Sequence, residues 1–114
     1  MLTIDALREY GADVDDGLAR CMNNEGFYLK LVRNAIETER LSQLEAQLQH
    51  EDLDAAFETA HALKGLYANL SLTPLTKPIS EMTELLRSCT KMDYSALFSE
   101  AKSQFDKLCI LTSE

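Results

Sequence analysis

Glycine and proline are scarce, at four and two in 114 residues, so few positions can break regular structure. Runs of β-branched residues are nearly absent, while leucine, alanine, glutamate and lysine are abundant, which argues against a sheet protein and for an all-α chain. No apolar run approaches the ~20 residues a membrane-crossing helix needs. The amino terminus, MLTIDALREYGADVDD, carries acidic residues where a secretory signal would be basic and then apolar, so a cytoplasmic location is expected. Cys21, Cys89 and Cys109 are far apart, odd in number and lack any CxxC spacing. That pattern disfavours a disulfide framework or a zinc site and predicts buried, reduced thiols. Basic residues are outnumbered, 11 Lys and Arg against 19 Asp and Glu, for a net charge of -8, and no basic cluster stands out. Phosphate-backbone binding needs such a cluster, so nucleic acid is excluded and a protein or small ligand is left as partner.

What is present suits one compact unit. The apolar content of 46% in 114 residues fills a single core, so residues 1–114 are expected to form one domain. Thr3 can cap a short first helix ended by Gly11, and Asp13 a second running to about Met22. Asn24 opens a helix with Phe27, Leu31, Val32 and Ile36 at helical spacing, and Thr38 can cap another with Leu41, Leu44 and Leu48. The spacing leaves open whether these are two helices or one bent helix. From Glu51 the pattern sharpens into an apolar stripe of Leu53, Ala56, Ala60, Leu63, Tyr67 and Leu70. Thr73 and Pro74 supply an N-cap and a first-turn proline for a helix with Ile79, Met82, Leu85 and Leu86, and Pro78 should kink it slightly. After a break at Lys91 to Asp93, a last amphipathic helix carries Leu97, Ala101, Phe105, Leu108 and Leu111. Short connections make consecutive helices antiparallel neighbours. The predicted architecture is an up-and-down four-helix bundle, its core at about residues 38–112, with short amino-terminal capping helices.

His61 stands apart from this core pattern. At ~100° per residue it lies roughly 120° from the middle of the stripe, hence outward or on the border. Lys64, Gly65 and Ala68 follow at i+3, i+4 and i+7 on the adjoining turns. Glycine inside a helix costs about 1 kcal/mol relative to alanine, and Leu66, Tyr67 and Leu70 continue the helical spacing past it, so Gly65 is read as a clearance site and not a helix end. Gly65 and Ala68 would let a partner's surface come down beside the imidazole, with Lys64 as a cation at its edge. His50, next to Glu51 and Asp52, reads as an ordinary surface residue. Phe27, Tyr28, Tyr67, Tyr94, Phe98 and Phe105 read as packing, and Asp13, Asp15 and Asp16 as a helix amino terminus complementing the dipole.

The stretch AHALKGLYANL, Ala60 to Leu70, resembles the H-x-L-K-G-x-x-x-N motif of histidine-containing phosphotransfer domains, matched by His61, Leu63, Lys64, Gly65 and Asn69. The resemblance extends over roughly Asp13 to Leu111. It implies that His61 accepts a phosphoryl group from a receiver-domain aspartate or a kinase and passes it to another receiver. The implied partners are a response-regulator receiver, a hybrid sensor histidine kinase, or both, with no nucleic acid or membrane, and the chain is expected to be a monomer. Imidazole nitrogen is a nucleophile that needs no activating base, and a loose phosphoryl transition state is helped chiefly by positioning and nearby positive charge, the role expected of Lys64. No metal site and no cofactor are expected in this chain, because Mg²⁺ and its acidic pocket belong to the receiver. The chain would then be a carrier and not an enzyme, and a stand-alone one, with Met1 and a full bundle and no kinase ATP-binding motif.

Something should also orient the ring. With the hairpin midpoint near Leu72, the position facing His61 is about Thr83, with Glu84 and Arg87 within a turn. Relatives often place a longer amide thereabouts, so a threonine would be a departure; Thr83 and Arg87 are the candidates. The rival from another class is a bundle adaptor that uses the same patch without phosphorylation. A metal-binding bundle fails on residues, since two histidines without a Glu-x-x-His pair assemble no ligand set.

Overall fold

The computed structural model describes residues 2–37 and 40–113, and among them it contains seven helices and no strand. They are α1 (Ile4–Tyr10), α2 (Val14–Arg20), α3 (Glu25–Glu37), α4 (Arg40–Gln49), α5 (Leu53–Asn69), α6 (Thr73–Arg87) and α7 (Ser95–Ser113). The caps explain several of the starts. Thr3 Oγ1 accepts from the Ala6 amide at 3.1 Å, Asp13 Oδ1 from Asp16 at 3.3 Å, and Asn24 Oδ1 from Phe27 at 3.0 Å. Gly11, at φ +110°, closes α1 in the left-handed region that glycine adopts without Cβ strain. Asp52 caps α5 in the same way, accepting from the Ala55 amide at 3.3 Å. The expected cap at Thr38 lies outside the described residues, as does the connection that would tell whether the segments around it are one helix or two.

Thr73 differs from its predicted role. It is the first helical residue of α6 and not its cap; Leu72 occupies the cap position without a side-chain bond. Pro74 still falls in the first turn, where its missing N–H costs nothing, and Pro78 lies farther in on the buried face.

α5 is the centre of the bundle, packing against α4 on one side and α6 on the other, with α7 against α6. Its stripe is buried as the spacing requires: Ala56, Ala60, Leu63 and Tyr67 are closed off from solvent, facing a core that includes Leu44, Leu75, Ile79, Met82, Leu86 and Leu108. Contacts of Lys64 with Glu84 and of Phe57 with Arg87 run in opposite order along α5 and α6, the signature of an antiparallel hairpin. The amino-terminal helices are tied to the α5–α6 turn. Tyr28 O–H donates to the Leu70 carbonyl at 2.7 Å, Ser71 O–H to Asp16 Oδ2 at 2.6 Å, and the Asp13 amide to the Ser71 carbonyl at 2.9 Å. Ser71 itself sits at φ +56°, a left-handed conformation that ends α5 without a glycine.

Two core expectations are corrected. Phe27 is about half exposed, because the next residue, Tyr28, takes the inward face of α3 and packs its ring directly over Gly17. Of the three thiols only Cys21 is buried; Cys109 is half-buried, and Cys89, at φ +54° just past α6, is exposed. All three are free.

Candidate functional site

His61 is exposed at the middle of α5, off the face that carries Ala56, Ala60, Leu63 and Tyr67 into the core. One turn onward Gly65 is exposed, and a Cβ built there would meet no heavy atom within 4 Å. Ala62 and Ala68 are exposed as well, so on the carboxyl-terminal side of the imidazole the ridge carries little side-chain bulk. Beyond Ala68 an open groove of about 840 Å³, bordered by Asp16, Ser71, Lys77, Glu81 and Glu84, keeps this face indented.

The α5–α6 hairpin brings charge to one flank. Lys64 Nζ lies 3.4 Å from Glu84 Oε1, and Arg87 Nε lies 3.4 Å from Glu84 Oε2, so one carboxylate holds two cations. All three side chains are substantially solvated, which makes each pair weak and easily exchanged for a stronger anion. Such an arrangement can hand positive charge to an anion arriving at His61, since a phosphoryl group has three equatorial oxygens for a lysine to approach.

Thr83 is not brought to the imidazole. Its side chain is fully buried, and its hydroxyl donates to the Ile79 carbonyl at 2.7 Å. The helical phase explains the difference: on α6 the buried face carries Ile79, Met82, Thr83 and Leu86, so Glu84 and Arg87 are the residues left to face the outer side of α5. Among the described residues, no group donates to or accepts from a ring nitrogen of His61. Its contact is instead the ring of Phe57, whose centroid is 5.7 Å from the imidazole centroid with the two planes inclined by 18°. The Arg87 guanidinium carbon lies 5.2 Å from the centre of that same phenyl ring. Sequence reading passed over Phe57, although i to i+4 spacing on a helix was the available signal.

His50 is exposed at the end of α4, in a turn with Glu51, away from any such patch. The amino-terminal carboxylates are engaged in local bonds. Asp15 pairs with Arg8 at 2.8 Å, and Asp16 accepts from both Ser71 and Arg20. The Ser71 hydroxyl, then the Arg20 guanidinium, hold the Asp16 carboxyl below the usual carboxylate range. Among the described residues no cluster of three or more His, Cys, Asp or Glu side chains could hold a metal ion, and no helix is long and apolar enough to cross a membrane.

Comparison with known proteins identifies one family. A family model described as Hpt domain matches residues 37–109, a span covering α4, α5 and α6 and most of α7. No curated protein matches, and no solved structure matches.

Proposed function

This chain belongs to the Hpt domain family, and from that membership we propose that it carries a phosphoryl group on His61, exchanging it with the aspartate of a response-regulator receiver. Hpt domains are phosphocarrier modules of two-component signalling, working with receiver domains and kinases, and they are not catalysts in their own right. The observation that carries the assignment to His61 is the open ridge: an exposed imidazole with a clear Gly65 one turn on and Lys64 on its flank.

In the transfer the lone pair of the distal ring nitrogen, Nε2, forms the N–P bond. The P–O bond of the aspartyl phosphate breaks, and its electron pair returns to the receiver's carboxylate. The other ring nitrogen keeps its proton through the step, so no base is required. Charge in the loose transition state sits on the equatorial oxygens, where Lys64 exchanges Glu84 for the phosphoryl group. Gly65 and Ala68 supply clearance for the receiver's rim. Mg²⁺ is placed on the receiver, and this chain contributes no ligand to it. We further propose a cytoplasmic monomer whose upstream donor is a hybrid sensor kinase or a receiver charged by one.

The test is transfer from an autophosphorylated kinase and receiver mixture, with mass spectrometry of the modified site. Labelling should fall on His61, be abolished in His61→Gln and persist in His50→Gln. Loss of labelling in the His50 variant alone would overturn the assignment. A chain that binds the receiver and takes no acid-labile phosphate would be an adaptor instead.

A further inference from the structure

The His61 ring lies nearly parallel to a neighbouring ring in a stacked pair. Phe57 precedes it by one turn, with the two rings stacked at 5.7 Å and 18°. Phe57 is half-buried and packed against the core cluster, so its own orientation is set from below by the bundle. From the neighbouring helix Arg87 stands 5.2 Å from the phenyl centre and is itself tied to Glu84. The platform therefore belongs to α5 and is steadied by α6.

We propose that Phe57 is the positioning residue for the imidazole, holding the ring plane in which His61 attacks; this rests on the reading of His61 as phosphoacceptor. The lone pair of an imidazole nitrogen lies in the plane of the ring. Fixing that plane fixes the directions along which an in-line P–N bond can form, and positioning is most of what a protein can contribute to phosphoryl transfer. An exposed histidine on a helix otherwise samples two or more χ1 wells and a broad χ2. A hydrogen bond to one nitrogen would restrain the ring too, but the buried hydroxyl of Thr83 is committed to Ile79. Stacking restrains the ring without engaging either nitrogen in a hydrogen bond. Arg87 then has an indirect place at the site, acting on the phenyl ring and through it on the imidazole.

The experiment compares Phe57→Leu, which keeps apolar bulk without a flat face, with Phe57→Tyr, which keeps the ring. Phe57→Met serves as a second faceless variant should leucine unfold the bundle, as judged by circular dichroism. In the unphosphorylated protein, NMR of the His61 ring protons should show the ring-current shift lost in the leucine variant and kept in the tyrosine variant, with His50 as the unmoved reference. In rapid-quench transfer from a phosphorylated receiver, the saturating rate of Phe57→Leu should drop roughly 3- to 10-fold, as expected when one favoured orientation becomes one among several. The half-saturating receiver concentration should change less than about twofold, and tyrosine should restore the rate. If wild-type protein is labelled at His61 and the leucine variant transfers at the wild-type saturating rate, or loses affinity alone, the platform has no positioning role. Absence of label on His61 in the wild-type chain would instead remove the phosphoacceptor reading, and this proposal with it.

Discussion

Gly65 is the residue at which stability and function should separate most cleanly. It lies inside α5 without a positive φ, and a Cβ there would meet nothing within 4 Å, so alanine is compatible with the native backbone and the packing around it. The helix-propensity difference then favours Gly65→Ala by about 1 kcal/mol. For a 114-residue chain, an unfolding entropy of about 2.1 cal/mol/K per residue gives about 0.24 kcal/mol/K in all, so the midpoint should rise by about 4 °C. Arginine has nearly the helix propensity of alanine, and Gly65→Arg should likewise melt no lower than wild type. Its side chain, however, would project across the approach to His61. Calorimetric melting of the three proteins, set beside rapid-quench transfer and titration with a receiver, decides the point. Both variants should melt at or above the wild-type midpoint, with alanine transferring nearly as well as glycine and arginine blocking both docking and transfer. Normal transfer by Gly65→Arg would show that the glycine is not there for access, and a lowered midpoint for Gly65→Ala would refute the open-space argument.

Gly17 should behave in the opposite way: a Cβ there falls 2.7 Å from two atoms of the Tyr28 ring, so Gly17→Ala should cost about 1 to 3 kcal/mol, read as a lower urea midpoint, and weaken the Tyr28 bond to Leu70. Lys64→Ala should slow transfer 10- to 100-fold, about 1.4 to 2.7 kcal/mol of barrier, while calorimetry with unphosphorylated receiver shows a loss well under 1 kcal/mol. Lys64→Arg should recover part of that rate, and equal losses in rate and affinity would make Lys64 a docking residue. Burial pushes the Tyr28 hydroxyl up to about 12 and those of Tyr10 and Tyr67 higher still. Because these folded-state values exceed the unfolded value near 10, the neutral rings stabilise the fold below pH 10, and that contribution declines as pH rises from about 10 to 12 and beyond. Tyrosinate absorbance should therefore lag at pH 11 and appear with loss of the helical signal; full ionisation of all four tyrosines with helicity intact would contradict the burial.

The helices and the outward face of His61 were legible in the sequence because both follow from local periodicity. A stripe at Ala56, Ala60, Leu63 and Tyr67 must be buried together if the segment is helical, and His61 must then be off it. Caps at Thr3, Asp13 and Asn24 were readable for the same reason, since each bond spans three residues. The site's clear ridge also follows from residue type, because a glycine and an alanine carry little side chain in any fold. What only the tertiary structure decided were the contacts between helices. The phase of α6 about its own axis, set by burying Ile79, Met82, Thr83 and Leu86 together, turned Thr83 into the core and left Glu84 and Arg87 for the site. A register error of one residue rotates a helix by ~100°, enough to exchange an inward neighbour for an outward one, and the hairpin midpoint alone could not resolve that. The exposed Phe27 arose likewise, from Tyr28 packing over Gly17 across two helices. The Phe57 platform combines both levels: its spacing from His61 is written in the chain, but the core packing and the Arg87 contact that steady it exist only once α5 and α6 are side by side.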